Sequence, residues 1–247
     1  MQIRNLRWIV ISLIFFATVL NYIDRQTLSV LKGDISRDLG LSNTDYALIQ
    51  NSFVIFYAIS QMVSGRIYDA IGTRLGFVFS IVIWSCSSFL HAFAGTRTMF
   101  QVFRATLGFG EAGNWPGAAK AVGEWFPVKE RALGMGIFNA GAAFGGAVSP
   151  PIIAWIGVTY GWRAVFYVTP ILGLLWLAAW LVLYYAPEKH AWITPEEKEY
   201  ILGDRQSNAG ASQSVWKPGW GKLLTYRQTW AVVLGRFISD PIWWLYI

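Results

Sequence analysis

Six stretches of the chain are apolar for long enough to cross a bilayer, at about 8 to 31, 45 to 66, 75 to 93, 99 to 125, 132 to 156 and 163 to 186. A spanning helix needs about 20 such residues, because lipid offers no partner to backbone N–H and C=O groups and a helix satisfies them within one segment. The first stretch carries Asn21-Tyr22-Ile23-Asp24-Arg25 inside it. A charge at bilayer depth costs roughly 2.5 to 3.5 kcal/mol on the lenient insertion scale, so an acid and a base there point to function and to partners elsewhere in the chain. Two blander readings compete: Asp24 and Arg25 pair with each other as a packing device, or they snorkel outward.

With 55% hydrophobic and 14% charged residues, 14 Trp and a mean hydropathy of +0.41, the chain lies outside the soluble range and reads as an all-α integral membrane protein. The net charge of +6 does not indicate nucleic acid, because the basic residues fall between apolar runs and not in clusters. Cys86 is the only cysteine, which excludes an internal disulfide and a thiol metal site. His91, near an outer boundary, and His190, in a polar segment, have no ligand-spaced neighbours, so no metal, cofactor or His-based catalysis is expected. The first run contains charges and lacks a small-residue cleavage site, which marks it as a retained helix and not a signal peptide.

Most lysines and arginines, from Arg4, Arg7, Arg66 and Arg74 to Lys129, Arg131 and the basic residues after Lys189, fall on one side if the N-terminus is cytoplasmic; Lys32, Arg37, Arg97 and Arg163 fall on the other. That bias predicts the N-terminus inside. Trp8 and Trp125 read as inner boundary anchors, and Trp155, Tyr160 and Trp162 as outer ones. The division expected is a six-helix bundle over 1–186, a cytoplasmic linker over 187–228, and a seventh helix over 229–247. That helix reaches Ile247 unfinished, so the chain reads as a fragment of a longer polypeptide. In the linker, Thr194-Pro195-Glu196-Glu197 supplies an N-cap, a first-turn proline and dipole-favourable acids, predicting a short surface helix to about Gly203. Ser207 to Ser214 is small, polar and expected to be mobile.

The fourth span places Arg104, Gly108, Glu111 and Trp115 at intervals that share one helical face. Counted from the cytoplasmic ends, Asp24 and Glu111 lie at similar depth, roughly 24 and 22 Å in. Gly108, Gly110, Gly113 and Gly117 with Pro116 make this span thin and bendable. Lys120 and Glu124, four apart, read as a snorkelling pair. In the fifth span, Gly141 and Gly145 form a small-xxx-small packing surface before a Pro150-Pro151 bend.

Six spans, a long linker and a seventh apolar run form the layout of the major facilitator superfamily. The loop Gly65-Arg66-Ile67-Tyr68-Asp69-Ala70-Ile71-Gly72-Thr73-Arg74 resembles its signature G-x-x-x-D-[RK]-x-G-[RK]-[RK], departing at Ala70 and Thr73. Gly65 and Gly72 would permit close backbone approach, and Asp69 and Arg74 would bond helix ends at a cytoplasmic gate. Asn-Tyr-Ile-Asp-Arg at 21 to 25, Arg104 before Glu111, Gly-Glu-Ala-Gly-Asn-Trp-Pro at 110 to 116, Glu-Trp-Phe-Pro-Val-Lys-Glu-Arg at 124 to 131 and Asp240-Pro241-Ile242-Trp243-Trp244 are similar to the anion:cation symporter branch. That branch includes hexuronate, galactonate and glucarate transporters.

The resemblance implies the N-terminal six-helix half of that fold, with a C-terminal half still to come. It implies that Arg25 and Tyr57 bind a sugar acid beside Tyr22, and that Asp24 and Glu111 carry protons. Arg104 joins the substrate site. Ala142 stands where the galactonate carriers have a glutamine, leaving Asn139 as the nearest polar candidate. The function implied is proton-coupled uptake of a hexuronate-like carboxylate across the cytoplasmic membrane. An organic-anion uniporter or exchanger of the same fold, or a membrane-bound sensor, remains open. No nucleophile, base and metal constellation stands at bilayer depth, so no enzyme is expected.

Overall fold

The computed structural model describes residues 2–209 and 220–246, in two compact units that divide between Asp204 and Arg205. Thus 210–219, which include most of the Ser207 to Ser214 stretch, and Ile247 lie outside the described residues. The first unit holds α1 (Leu6–Val30), α2 (Lys32–Leu39), α3 (Asn43–His91), α4 (Arg97–Glu111), α5 (Asn114–Trp125), α6 (Arg131–Tyr160), α7 (Trp162–Leu183) and most of α8 (Pro195–Ala209). The second holds α9 (Trp220–Leu223) and α10 (Arg227–Tyr246), the latter over the expected seventh span.

Among the described residues, four helical segments are long and apolar enough to span a bilayer: α1, α3, residues 128–160 and α7. The 49 residues of α3 are too many for one crossing. Gly72, at φ 82° and ψ 164°, interrupts the helical dihedrals, and the chain reverses there. Tyr68 from the first half then meets Phe77 edge to face and bonds Ser80 Oγ at 3.1 Å. The second and third spans are therefore the two halves of α3.

The fourth span is not the single helix that its apolar run suggests. It breaks between α4 and α5 at Ala112-Gly113. Pro116 has no N–H to offer the carbonyl of Ala112, and glycine raises the cost of helix on either side. Trp115, on α5, packs against Phe138 on α6.

Lipid tails are as apolar as leucine, so helices join here by close packing and interhelical hydrogen bonds. The glycines of the fourth span supply the packing. A methyl group at Gly108 would come within 2.5 Å of the Phe53 carbonyl oxygen, and one at Gly110 within 2.7 Å of the Trp84 nitrogen. Gly113 and Gly117 leave the same lack of room against Ser80 and Tyr68. On α6, Gly141 and Gly145 lie against Phe15, Val19 and Tyr22 of α1, as the small-xxx-small pattern predicts. The helix continues through Pro150 and Pro151.

Trp125 and Trp162, at helix ends, are buried, with Trp125 packed beside Tyr184 and His190, while Trp155 and Tyr160 are exposed. Two further expectations are corrected. Lys120 and Glu124 do not pair: Lys120 bonds Asp69 at 2.8 Å, and Glu124 accepts from Thr73 and Tyr184. Finally, α8 extends past Gly203, and its start is no free surface helix. Thr194 caps it by accepting from the Glu197 N–H at 3.3 Å. The buried carboxylate of Glu197 in turn accepts from the first amides of α1, Leu6 at 2.8 Å and Arg7 at 3.2 Å, and pairs with the Arg7 guanidinium at 2.9 Å.

Candidate functional site

Consecutive residues on a helix project about 100° apart, so Asp24 and Arg25 face different neighbours. Arg25 turns toward α4, where its Nε and Nη2 lie 3.1 and 3.0 Å from Glu111 Oε2. Nη2 also donates to Asn21 Oδ1 at 3.2 Å. Tyr22, Phe53 and Tyr57 surround the guanidinium, with ring centroids at 5.1, 5.4 and 4.8 Å. Such faces attract a cation electrostatically, the more so away from water. Arg25 is 7% exposed and Glu111 0%.

Arg104 does not pair with Glu111, as the spacing on one face invites. Its Nη2 donates to Gln50 Oε1 at 2.9 Å and to the Arg25 carbonyl at 3.3 Å, and the guanidinium lies over Phe53. Arg104 thus braces the backbone of Arg25 while Glu111 holds its side chain.

Asp24 turns the other way. Its Oδ1 accepts from Ser88 Oγ at 2.8 Å, on the second half of α3, and from Thr169 Oγ1 at 2.6 Å, on α7. Among the described residues, Asp24 Oδ2 and Glu111 Oε1 are buried without a hydrogen-bond partner. Mutual pairing of Asp24 and Arg25 is excluded by this arrangement.

Tyr22, Asp24, Arg25, Tyr57, Arg104 and Glu111 are therefore brought together, and Asn21, Gln50, Ser88 and Thr169 join them. Asn21 belongs to the stretch that the sequence singles out, whereas Gln50, Ser88 and Thr169 carry little signal, because single amide and hydroxyl groups are common in spanning helices. Asn139 stands apart on an exposed face of α6, and its Nδ2 donates to Met135 of its own helix at 2.7 Å. Ala142, on the same helix, is buried.

The signature loop lies further along α3. Asp69 pairs with Lys120. Arg74 donates to the Leu181 carbonyl in the last turn of α7 and to the Tyr185 hydroxyl, over whose ring it lies at 4.0 Å. Gly72 supplies the positive φ at the reversal. A side chain at Gly65 would meet nothing within 4 Å, so close approach there is corrected; Gly76, against the Tyr68 ring, is the glycine that needs to be small.

Comparison with known proteins agrees with this architecture. Residues 14–247 match the family model described as Major Facilitator Superfamily. The chain is 33% identical over 242 residues to the hexuronate transporter of Escherichia coli (strain K12), covering 98% of this chain and 56% of that protein. It is 32% identical to the galacturonate transporter of Dickeya chrysanthemi, covering 98% of this chain and 70% of that one. It spans a little over half the length of the first of these relatives. Among solved structures, a bacterial homolog of the human lysosomal transporter Spinster superposes with a TM-score of 0.66 at 22% identity, over 78% of this chain and 47% of that one. The proton:xylose symporter XylE superposes with a TM-score of 0.62 at 18% identity, over 82% and 51%. Both likenesses concern the fold. A multi-pass chain with this helical half-bundle, whose relatives are named as transporters, belongs to the Major Facilitator Superfamily.

Proposed function

We propose that the chain is the N-terminal half of a secondary active transporter that imports a hexuronate-like sugar acid with protons across the cytoplasmic membrane. On this reading residues 1–186 are the bundle, 187–228 the linker and 229–247 the seventh helix, with the N-terminus in the cytoplasm. A second six-helix half completes the site. The observation that carries the proposal is the buried Arg25 guanidinium, ringed by Tyr22, Phe53 and Tyr57 and held by one oxygen of Glu111. A planar guanidinium matches a carboxylate, and relatives of this chain are named for hexuronate and galacturonate.

Arg25 and Arg104 balance Asp24 and Glu111. A substrate carboxylate that reaches Arg25 competes with Glu111 for it. Protonation of Glu111 weakens the ion pair and releases Arg25, so proton and anion favour each other's binding; by linkage the effect is reciprocal. Tyr57 and Tyr22 supply the ring faces beside the ligand, Arg104 fixes the Arg25 backbone, and Asp24 carries a second exchangeable proton. Asn139 faces the second half. Gly65, Asp69, Gly72 and Arg74 form the cytoplasmic gate, where Arg74 holds the end of α7.

Glu111→Gln tests this in the two-half protein, since it mimics the protonated acid. The variant should exchange labelled hexuronate across vesicles but not accumulate it when a pH gradient is imposed. Accumulation equal to the parent's would remove Glu111 from coupling. A parent that exchanges but never accumulates would favour the exchanger reading.

A further inference from the structure

Asp24 is held differently from every other charged group at this depth. A carboxylate oxygen has two in-plane lone pairs, and at Asp24 Oδ1 two hydroxyls take them, Ser88 Oγ at 2.8 Å and Thr169 Oγ1 at 2.6 Å. The hydroxyl oxygens lie 3.3 Å from each other, so they form one small polar patch between α3 and α7. Oδ2 has no partner among the described residues, and Asp24 is 2% exposed.

Among the described residues, no ion pair joins a cation to Asp24. On α4, Arg104 donates to Gln50 and to the Arg25 carbonyl, and Glu111 holds Arg25. Arg25, next in sequence, is engaged with Glu111. On α3, His91 lies one turn beyond Ser88, stacked on Phe166 with its Nδ1 bonded to the Ser87 carbonyl at 2.7 Å. The charged residues of α6 and α7 are Arg131 and Arg163, at the first turns of their helices, bonded to the Phe126 carbonyl and to Asp38.

We infer that Ser88 and Thr169 are positioning residues for proton exchange at Asp24: by occupying Oδ1 they leave Oδ2 as the atom that gains and loses the proton. The inference rests on the reading of Asp24 as a proton carrier. Uptake forms an Oδ2–H bond with a proton delivered by water, and release returns that proton to water; Oδ1 keeps both hydroxyls in each state. A hydrogen bond to a charged carboxylate is about twice as strong as one to a neutral acceptor. Protonation at Oδ2 therefore loosens the two bonds that tie α1 to the second half of α3 and to α7. The proton is thereby converted into a change in helix packing, separately from the Arg25–Glu111 pair.

Infrared difference spectroscopy of the whole chain in lipid nanodiscs, acid minus alkaline, tests both levels. A protonated carboxyl shows a C=O stretch, which hydrogen bonds to the carbonyl oxygen lower in frequency. A band should appear on acidification and vanish in Asp24→Asn. It should move to higher frequency in Ser88→Ala and in Thr169→Val, further in the double variant, and return in Thr169→Ser. Circular dichroism confirms that each variant is folded, and the single variants serve if the double one is not. An Asp24 band that keeps its frequency in both single variants overturns the positioning role and leaves the proton-carrier reading intact. Glu111 gives its own band, which stays; if no band present in the parent is lost in Asp24→Asn, the reading beneath the inference is overturned.

Discussion

At the scale of single residues, the site depends on Arg25 meeting Glu111 and not its neighbour Asp24. Removing one partner of a buried pair leaves an uncompensated charge, at a cost of about 3–5 kcal/mol, whereas removing both does not. Arg25→Gln should therefore lower thermal stability in detergent by that amount, and Arg25→Gln/Glu111→Gln should recover most of it. An Arg25→Gln protein that melts with the parent would show that the pair contributes nothing to the fold. The identities of Tyr22, Asp24, Arg25, Tyr57, Arg104 and Glu111 were legible in the sequence, since charged and phenolic groups stand out in apolar runs. Their pairing was not, because it depends on the rotation of each helix about its axis. Spacing suggested Arg104 with Glu111, yet Arg104 reaches across to Gln50 and the Arg25 carbonyl.

At the scale of elements, glycine decides how near the fourth span lies to α3. Alanine at Gly108 would put its methyl group 2.5 Å from a backbone oxygen that has no rotamer to change. Overpacking of this kind typically costs about 1–3 kcal/mol, so Gly108→Ala should lower the melting temperature. Gly65→Ala, with open space around it, should instead gain about 0.5–1 kcal/mol from helix propensity. Equal effects at the two positions, measured by thermal melts in detergent, would contradict the packing described. Six spans could be counted from hydropathy, but the break at Ala112-Gly113 could not, because an apolar run is silent about where its backbone bonds fail. Pro116 was the available sign. The short α2 was missed because Lys32–Leu39 is polar and only Ile35 in it is buried.

At the scale of the whole chain, polar ties at the periphery connect elements far apart in sequence. Asp38 on α2 accepts from Arg163 at 2.7 Å and from Trp162 Nε1 at 3.2 Å. The Arg163 hydrogen bond, with a smaller contribution from Trp162, holds the Asp38 carboxyl below its ordinary value of 3.8. A lowered carboxylate favours the folded state above its unfolded value. That contribution fades as pH falls from about 3.8 toward the depressed folded value. Arg163→Gln should accordingly raise the Asp38 titration midpoint, read by NMR; an unmoved midpoint would remove Arg163 as the cause. Long-range ties of this kind left little trace in the sequence, since exposed charges offer many equivalent pairings. The cap on α8 was legible from Thr194 to Glu197, while the second use of Glu197 was not.

That second use has a consequence in time. The first amides of α1 leave the ribosome early, and the carboxylate that satisfies them follows 191 residues later. At about 5–20 residues per second, the interval is on the order of 10–40 s. Throughout it, water must serve the opening turn of the first helix, and all six spans are synthesised before Glu197 can replace it. The earliest part of the chain to be made is thus among the last to be finished, and the helix that closes it is the one that follows the bundle.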